Sequence, residues 1–191
     1  MQKKRVIIIH CWEESPEYAW YPYAKRELEA RGYEVQVPEF PQPLQPLMRL
    51  WVPFLTRTIG RPDENLYLVG HSIGAVTILR YLETLQPEQR IGGAVLVAGF
   101  TDHMGYYDAF GTFFTQPLKF ERIKNSARAF AAIHSDDDPY VDLKYGTVFQ
   151  RELGAKLIVV PRGRHFSGPL GKPDSCTELP AVVESIVAMT P

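Results

Sequence analysis

Gly70-His71-Ser72-Ile73-Gly74 joins an apolar run, Leu66-Tyr67-Leu68-Val69, to a helical stretch from Ala75 to Leu85. No other segment constrains the fold so tightly. A strand that turns into a helix within five residues brings the two backbones closer than side chains allow, which calls for glycine on both sides of the turn. The residue at the apex is held in a strained conformation with its side chain pushed outward. The start of the helix leaves backbone N–H groups without intrahelical partners, and that of Ile73 lies beside the Ser72 hydroxyl. A serine presented this way is a candidate nucleophile, and Ile73 N–H a candidate donor to a developing oxyanion. The five-residue motif alone is unspecific; the strand before it and the helix after it give it weight.

The same alternation runs along the whole chain. Strands are predicted over Arg5–His10, Tyr33–Val37, Leu66–Val69, Gly93–Ala98, Arg128–His134 and Lys156–Val160. They are β-branched or nearly continuous apolar runs, as expected for parallel strands covered on both faces. Helices are predicted over Pro22–Arg31, along the stripe Leu47, Leu50, Trp51, Phe54, Leu55 and Ile59, over Leu143–Leu153 and over Glu178–Met189. This pattern predicts one α/β domain over residues 1–191, with a roughly six-stranded, mostly parallel sheet and helices on both faces. Residues 99–122, rich in aromatics, leave room for a small cap between the fourth and fifth strands. Ligands of such sheets bind beyond the carboxyl ends of the strands. His10, Ser72, Gly99, Asp138 and His165 all follow predicted strands, so they are expected to converge on one edge.

Composition excludes several classes. The 21 basic and 22 acidic residues leave a net charge of −1, without the footprint of a nucleic-acid or membrane-surface binder. No apolar stretch is long enough to span a membrane, and Val6–Ile9 is too short for a signal peptide; a cytoplasmic protein is expected. Cys11 and Cys176 match no zinc-ligand spacing; two reduced thiols are expected, with one disulfide the alternative. No metal and no cofactor is implied.

A nucleophilic serine needs a base within hydrogen-bond reach, and the base needs an orienting group. Ser72 is followed by the acidic cluster Ser135-Asp136-Asp137-Asp138-Pro139-Tyr140-Val141 and then by Gly163-Arg164-His165-Phe166. The order serine, acid, histidine is that of α/β-hydrolases. His10 after the first strand, Trp20-Tyr21-Pro22-Tyr23, Pro38 to Pro43, and Ile91 to Phe100 add more specific segments. With them the chain resembles, over essentially its full length, the small serine-hydrolase family of retinoblastoma-binding protein nine and the bacterial YdeN proteins. The resemblance implies an α/β-hydrolase core and a triad of Ser72, Asp138 and His165. Asp138-Pro139-Tyr140-Val141 fits the family's Asp-Pro pattern, with Asp137 the rival acid. The usual glycine after His10 is Cys11 here. The second oxyanion donor is expected to be Trp12 N–H, with Cys11 N–H the alternative. His10, Cys11 and Phe100 are expected to line the substrate site, and His71 to be structural.

The function expected is hydrolysis of small carboxylic esters, or amides, through an acyl-enzyme. A carbon–carbon hydrolase or lyase on the same scaffold is not separable by sequence. The alternative is a weakly active or inactive hydrolase-fold protein with a binding or regulatory role. No Leu-x-Cys-x-Glu segment is present to support a retinoblastoma-type partner, and no specific protein partner is evident.

Overall fold

The computed structural model describes residues 3–168 and 175–190. Six strands, β1 (Arg5–Ile9), β2 (Glu34–Gln36), β3 (Leu66–His71), β4 (Gly93–Val97), β5 (Phe130–Ser135) and β6 (Lys156–Val160), form one sheet in the order β2-β1-β3-β4-β5-β6. Every pairing is parallel. Among the described residues, seven helices connect and flank the strands: α1 (Tyr21–Glu29), α2 (Met48–Ile59), α3 (Ile73–Leu82), α4 (Tyr107–Phe110), α5 (Phe120–Asn125), α6 (Lys144–Leu153) and α7 (Pro180–Met189).

The apolar runs are continuous because each strand is covered on both faces. Ile7, Ile9, Leu66, Leu68, Ala94, Leu96 and Ala132 pack with residues of α2, α3, α5 and α6 on one side. Val6, Ile8, Tyr67, Val69, Val95, Val97 and Ile133 pack with residues of α1 and α7 on the other. The chain leaves β1 toward β2 on one side and returns to β3 on the other. The carboxyl ends of β1 and β3 therefore flank a topological switch point, where open α/β sheets form a crevice.

Most elements end within one to three residues of the sequence expectation, and two of the shifts frame the turn at Ser72. β3 runs on through His71, because Gly70 and His71 still pair with Leu96 and Val97. α3 starts at Ile73 rather than Ala75, because the Ser72 carbonyl already accepts from Ala75 N–H at 3.0 Å. The aromatic excursion, for which the sequence offers no regular periodicity, holds α4 and a 3-10 turn over Gly111–Phe113. Arg80 fastens it to α3. The side chain of Arg80 is buried, donates from Nε to Phe113 O at 2.7 Å, reaches the carbonyls of Gln116 and Pro117, and pairs with Glu83 at 2.8 Å. Glu83 accepts Lys119 N–H in turn. A buried guanidinium is tolerated where carbonyls and a carboxylate satisfy its donors.

Candidate active site

Gly70 and Gly74 let three segments meet at the turn around Ser72. A Cβ on Gly70 would lie 2.5 Å from Ala75 N, and one on Gly74 would strike the carbonyl oxygen of Ile9. Ser72 itself sits at φ 56°, ψ −118°, a strained conformation for a residue with a side chain. Its N–H donates to Val97 O at 2.8 Å, anchoring the turn to β4. Ser72 and His165 both open onto a cavity of about 270 Å³, which Cys11, Trp12, Met104 and Tyr140 help to line.

The three consecutive aspartates divide into two jobs. Asp138 Oδ2 faces His165 Nδ1 at 2.8 Å, with the carboxylate side chain only 1% exposed. Its Oδ1 accepts the N–H groups of Tyr140 and Val141 at 2.9 and 3.0 Å, which fixes the carboxylate plane. Asp137 instead accepts Ser135 Oγ–H and Arg164 N–H, and both hold its carboxyl below the usual range. Asp136 accepts Arg162 N–H at 2.7 Å. Asp136 and Asp137 thus staple the loop after β6 that carries His165, while Asp138 alone touches the imidazole. No hydrogen bond joins Ser72 Oγ to His165, although both are described residues. Such contacts are often open before substrate binds and close with it.

Cys11 lies in the cavity wall, where burial pushes its thiol up to about 12 and keeps it protonated. It is not in the positive-φ region that the missing glycine would have suggested; Glu13 is, at φ 65°. Cys11 N–H is engaged by Tyr21 Oη at 3.1 Å. The backbone N–H of Trp12 has no hydrogen-bond partner among the described residues, while its indole N–H donates to Leu44 O at 3.0 Å. Cys11 and Cys176 are free thiols.

Two expected lining residues lie elsewhere. His10 is fully buried behind the cavity wall: its Nδ1 donates to Cys11 O at 2.8 Å and its Nε2 accepts Phe40 N–H at 2.9 Å. Both ring nitrogens are thereby satisfied inside the protein, so His10 shapes the loop after β1 rather than touching a ligand. Phe100 is also fully buried and packs on Phe110 and Phe114, because the excursion folds back over it. The cavity is instead reached by Trp12, Tyr18, Tyr106, Phe110 and Tyr140. Tyr106 and Phe110 come from the aromatic excursion over residues 99–122, and Tyr140 follows Pro139 in the acid loop.

His134, which leads into the acid loop, is also a buried imidazole, and neither of its nitrogens has a hydrogen-bond partner. Burial pushes it down to about 4, with the Asp138 charge opposing the shift and His165 adding to it. In the unfolded chain it would take up a proton near about pH 6.5. Between those values the unfolded state binds more protons, so stability declines as pH falls from about 6.5 toward 4. Thermal melts are expected to show a lower Tm at about pH 5 than at about pH 7.5, and His134→Leu is expected to narrow that gap.

A parallel sheet with a sharp strand-to-helix turn at Ser72 after β3, an acidic loop after β5 and a histidine-bearing loop after β6 is the architecture of an α/β-hydrolase. The chain belongs to the serine hydrolase family, whose sequence model matches residues 6–172. It is 32% identical to YdeN of Bacillus subtilis over 97% of this chain and 95% of that one. It is 28% identical to the serine hydrolase RBBP9 of Rattus norvegicus over 78% of each chain. The crystal structure of the B. subtilis ydeN gene product superposes with a TM-score of 0.90, at 33% identity and 98% coverage of both chains. No helix among the described residues is long and apolar enough to cross a membrane.

Proposed function

We propose that the protein hydrolyses small carboxylic esters through an acyl-enzyme on Ser72. One observation carries the reading: the Asp138 carboxylate, nearly solvent-free, holds His165 Nδ1 at 2.8 Å while His165 and Ser72 open onto one cavity. Ser72 Oγ attacks the acyl carbonyl carbon and its proton passes to His165 Nε2. Asp138 keeps the imidazole in the Nδ1–H tautomer and stabilises the imidazolium. The oxyanion is held by Ile73 N–H at the start of α3 and by Trp12 N–H, since Cys11 N–H is already engaged. The alcohol leaves with the proton from His165. Water then attacks the acyl carbon, His165 takes its proton and passes it to Ser72 Oγ as the acyl–Oγ bond breaks, and the acid departs.

The cavity favours a restricted substrate class. At about 270 Å³ it suits a short or compact acyl group. Its described lining contains Glu13 and Glu14 but no lysine or arginine, which disfavours a substrate carboxylate. The test is turnover of p-nitrophenyl acetate and butyrate, of a hemisuccinate ester, and of the matching anilides. The neutral esters are expected to be hydrolysed fastest, with the hemisuccinate about tenfold slower through like-charge repulsion. Ester rates no faster than those of Ser72→Ala would contradict the reading.

A further inference from the structure

We infer that Tyr21 and His71 are positioning residues, forming a buried hydrogen-bond chain that sets the oxyanion loop against the loop of His165. The kinetic consequence rests on the esterase reading above; the chain itself rests on geometry alone. Cys11 N–H donates to Tyr21 Oη at 3.1 Å. Tyr21 Oη lies 2.7 Å from His71 Nδ1, and His71 Nε2 lies 2.8 Å from the carbonyl oxygen of His165. The two ends decide where every proton sits. A backbone N–H can only donate, so Tyr21 Oη accepts from Cys11 and directs its own proton to His71 Nδ1. A backbone carbonyl can only accept, so the His71 proton is on Nε2. One tautomer satisfies every group.

The chain is dry and tightly packed. Tyr21 and His71 are fully buried. The ring of Trp20 lies edge-on to Tyr21 at 4.7 Å between centroids and 5.8 Å from His71. The His71 ring in turn lies 5.1 Å from that of His165. Burial holds His71 well below the ordinary imidazole range, and the neighbouring His165 adds to the effect. A neutral His71 is what the geometry needs, because a second proton would remove the acceptor that Tyr21 uses.

Three segments from different strands are thereby locked together: the loop after β1 through Cys11, the end of β3 through His71, and the loop after β6 through His165. His71 directly precedes Ser72, so the chain also fixes the nucleophile turn. Engaging Cys11 N–H leaves the next amide, Trp12 N–H, to face the substrate. Losing the Tyr21 hydroxyl would leave the Cys11 N–H unpaired and His71 Nδ1 without a donor, so that the His71–His165 contact would no longer be tied to the loop after β1.

The test combines imidazole ¹⁵N NMR with kinetics. In the wild-type protein His71 is expected as the Nε2–H tautomer. In Tyr21→Phe the Nε2–H form is expected to persist, held by the His165 carbonyl, with the Nδ1 resonance moved to that of an acceptor without a donor, kcat about tenfold lower and KM unchanged. Tyr33→Phe, which removes a hydroxyl bonded to Thr190 at 2.8 Å, is the control and is expected to leave kcat unchanged. A wild-type His71 in the Nδ1–H form would overturn the inference, and so would a folded Tyr21→Phe with kcat within about twofold of wild type. If Tyr21→Phe does not fold, the wild-type tautomer decides. If the wild type turns over no ester, the esterase reading fails by itself, and the wild-type tautomer with the Nδ1 shift in Tyr21→Phe still decides the hydrogen-bond chain.

Discussion

Ser72→Ala is expected to lower ester turnover by about 10⁶, to the level left by binding and the oxyanion donors alone. The fold should survive. The Ser72 side chain accepts and donates no hydrogen bond among the described residues, and its backbone anchor to Val97 O at 2.8 Å does not depend on the hydroxyl. Alanine meets the same positive φ of 56° as serine does, so the strain is unchanged. Stability is expected to stay within about 0.5 kcal/mol of wild type. Steady-state kinetics with a thermal melt on the same preparation separates loss of chemistry from loss of fold.

Asp138→Asn is expected to cost about 10⁴ in kcat, the second largest effect. An asparagine amide facing His165 Nδ1 at 2.8 Å would favour the wrong tautomer and leave the imidazolium without a countercharge. Asp137→Asn is the matched comparison. It keeps an oxygen able to accept Arg164 N–H and Ser135 Oγ–H, and its carboxyl does not touch the imidazole. Its kcat/KM is expected to remain within about threefold of wild type. Equal losses in the two variants would mean that the loop as a whole, rather than Asp138, orients His165.

Much of this arrangement was legible in the sequence, for identifiable reasons. Doubly covered parallel strands need continuous apolar runs, so β1, β3 and β4 stand out at Val6–Ile9, Leu66–Val69 and Gly93–Val97. The rule that ligands meet the carboxyl ends of strands brings Ser72, Asp138 and His165 to one edge from the sequence alone. Other features depend on contacts between distant segments, which local pattern cannot carry. His10 was expected at the site because it follows β1, yet its two nitrogens bond Cys11 O and Phe40 N, the second from 30 residues away. Arg80 looks like a solvated helix charge until the carbonyls of residues 113 to 117 fold over it. Tyr21 reads as one ring in an aromatic run; only its hydroxyl, between Cys11 and His71, gives it a distinct role. The job of each acid in Asp136-Asp137-Asp138 became separable only when the loop after β6 was in place.

The most direct measurement is labelling of the folded protein with a fluorophosphonate, followed by mass spectrometry of its peptides. Phosphonylation confined to Ser72, absent in Ser72→Ala and strongly slowed in Asp138→Asn, is the expected result. A folded wild-type protein that resists the reagent, or is modified elsewhere with Ser72 intact, would contradict the assignment of Ser72 as the activated nucleophile.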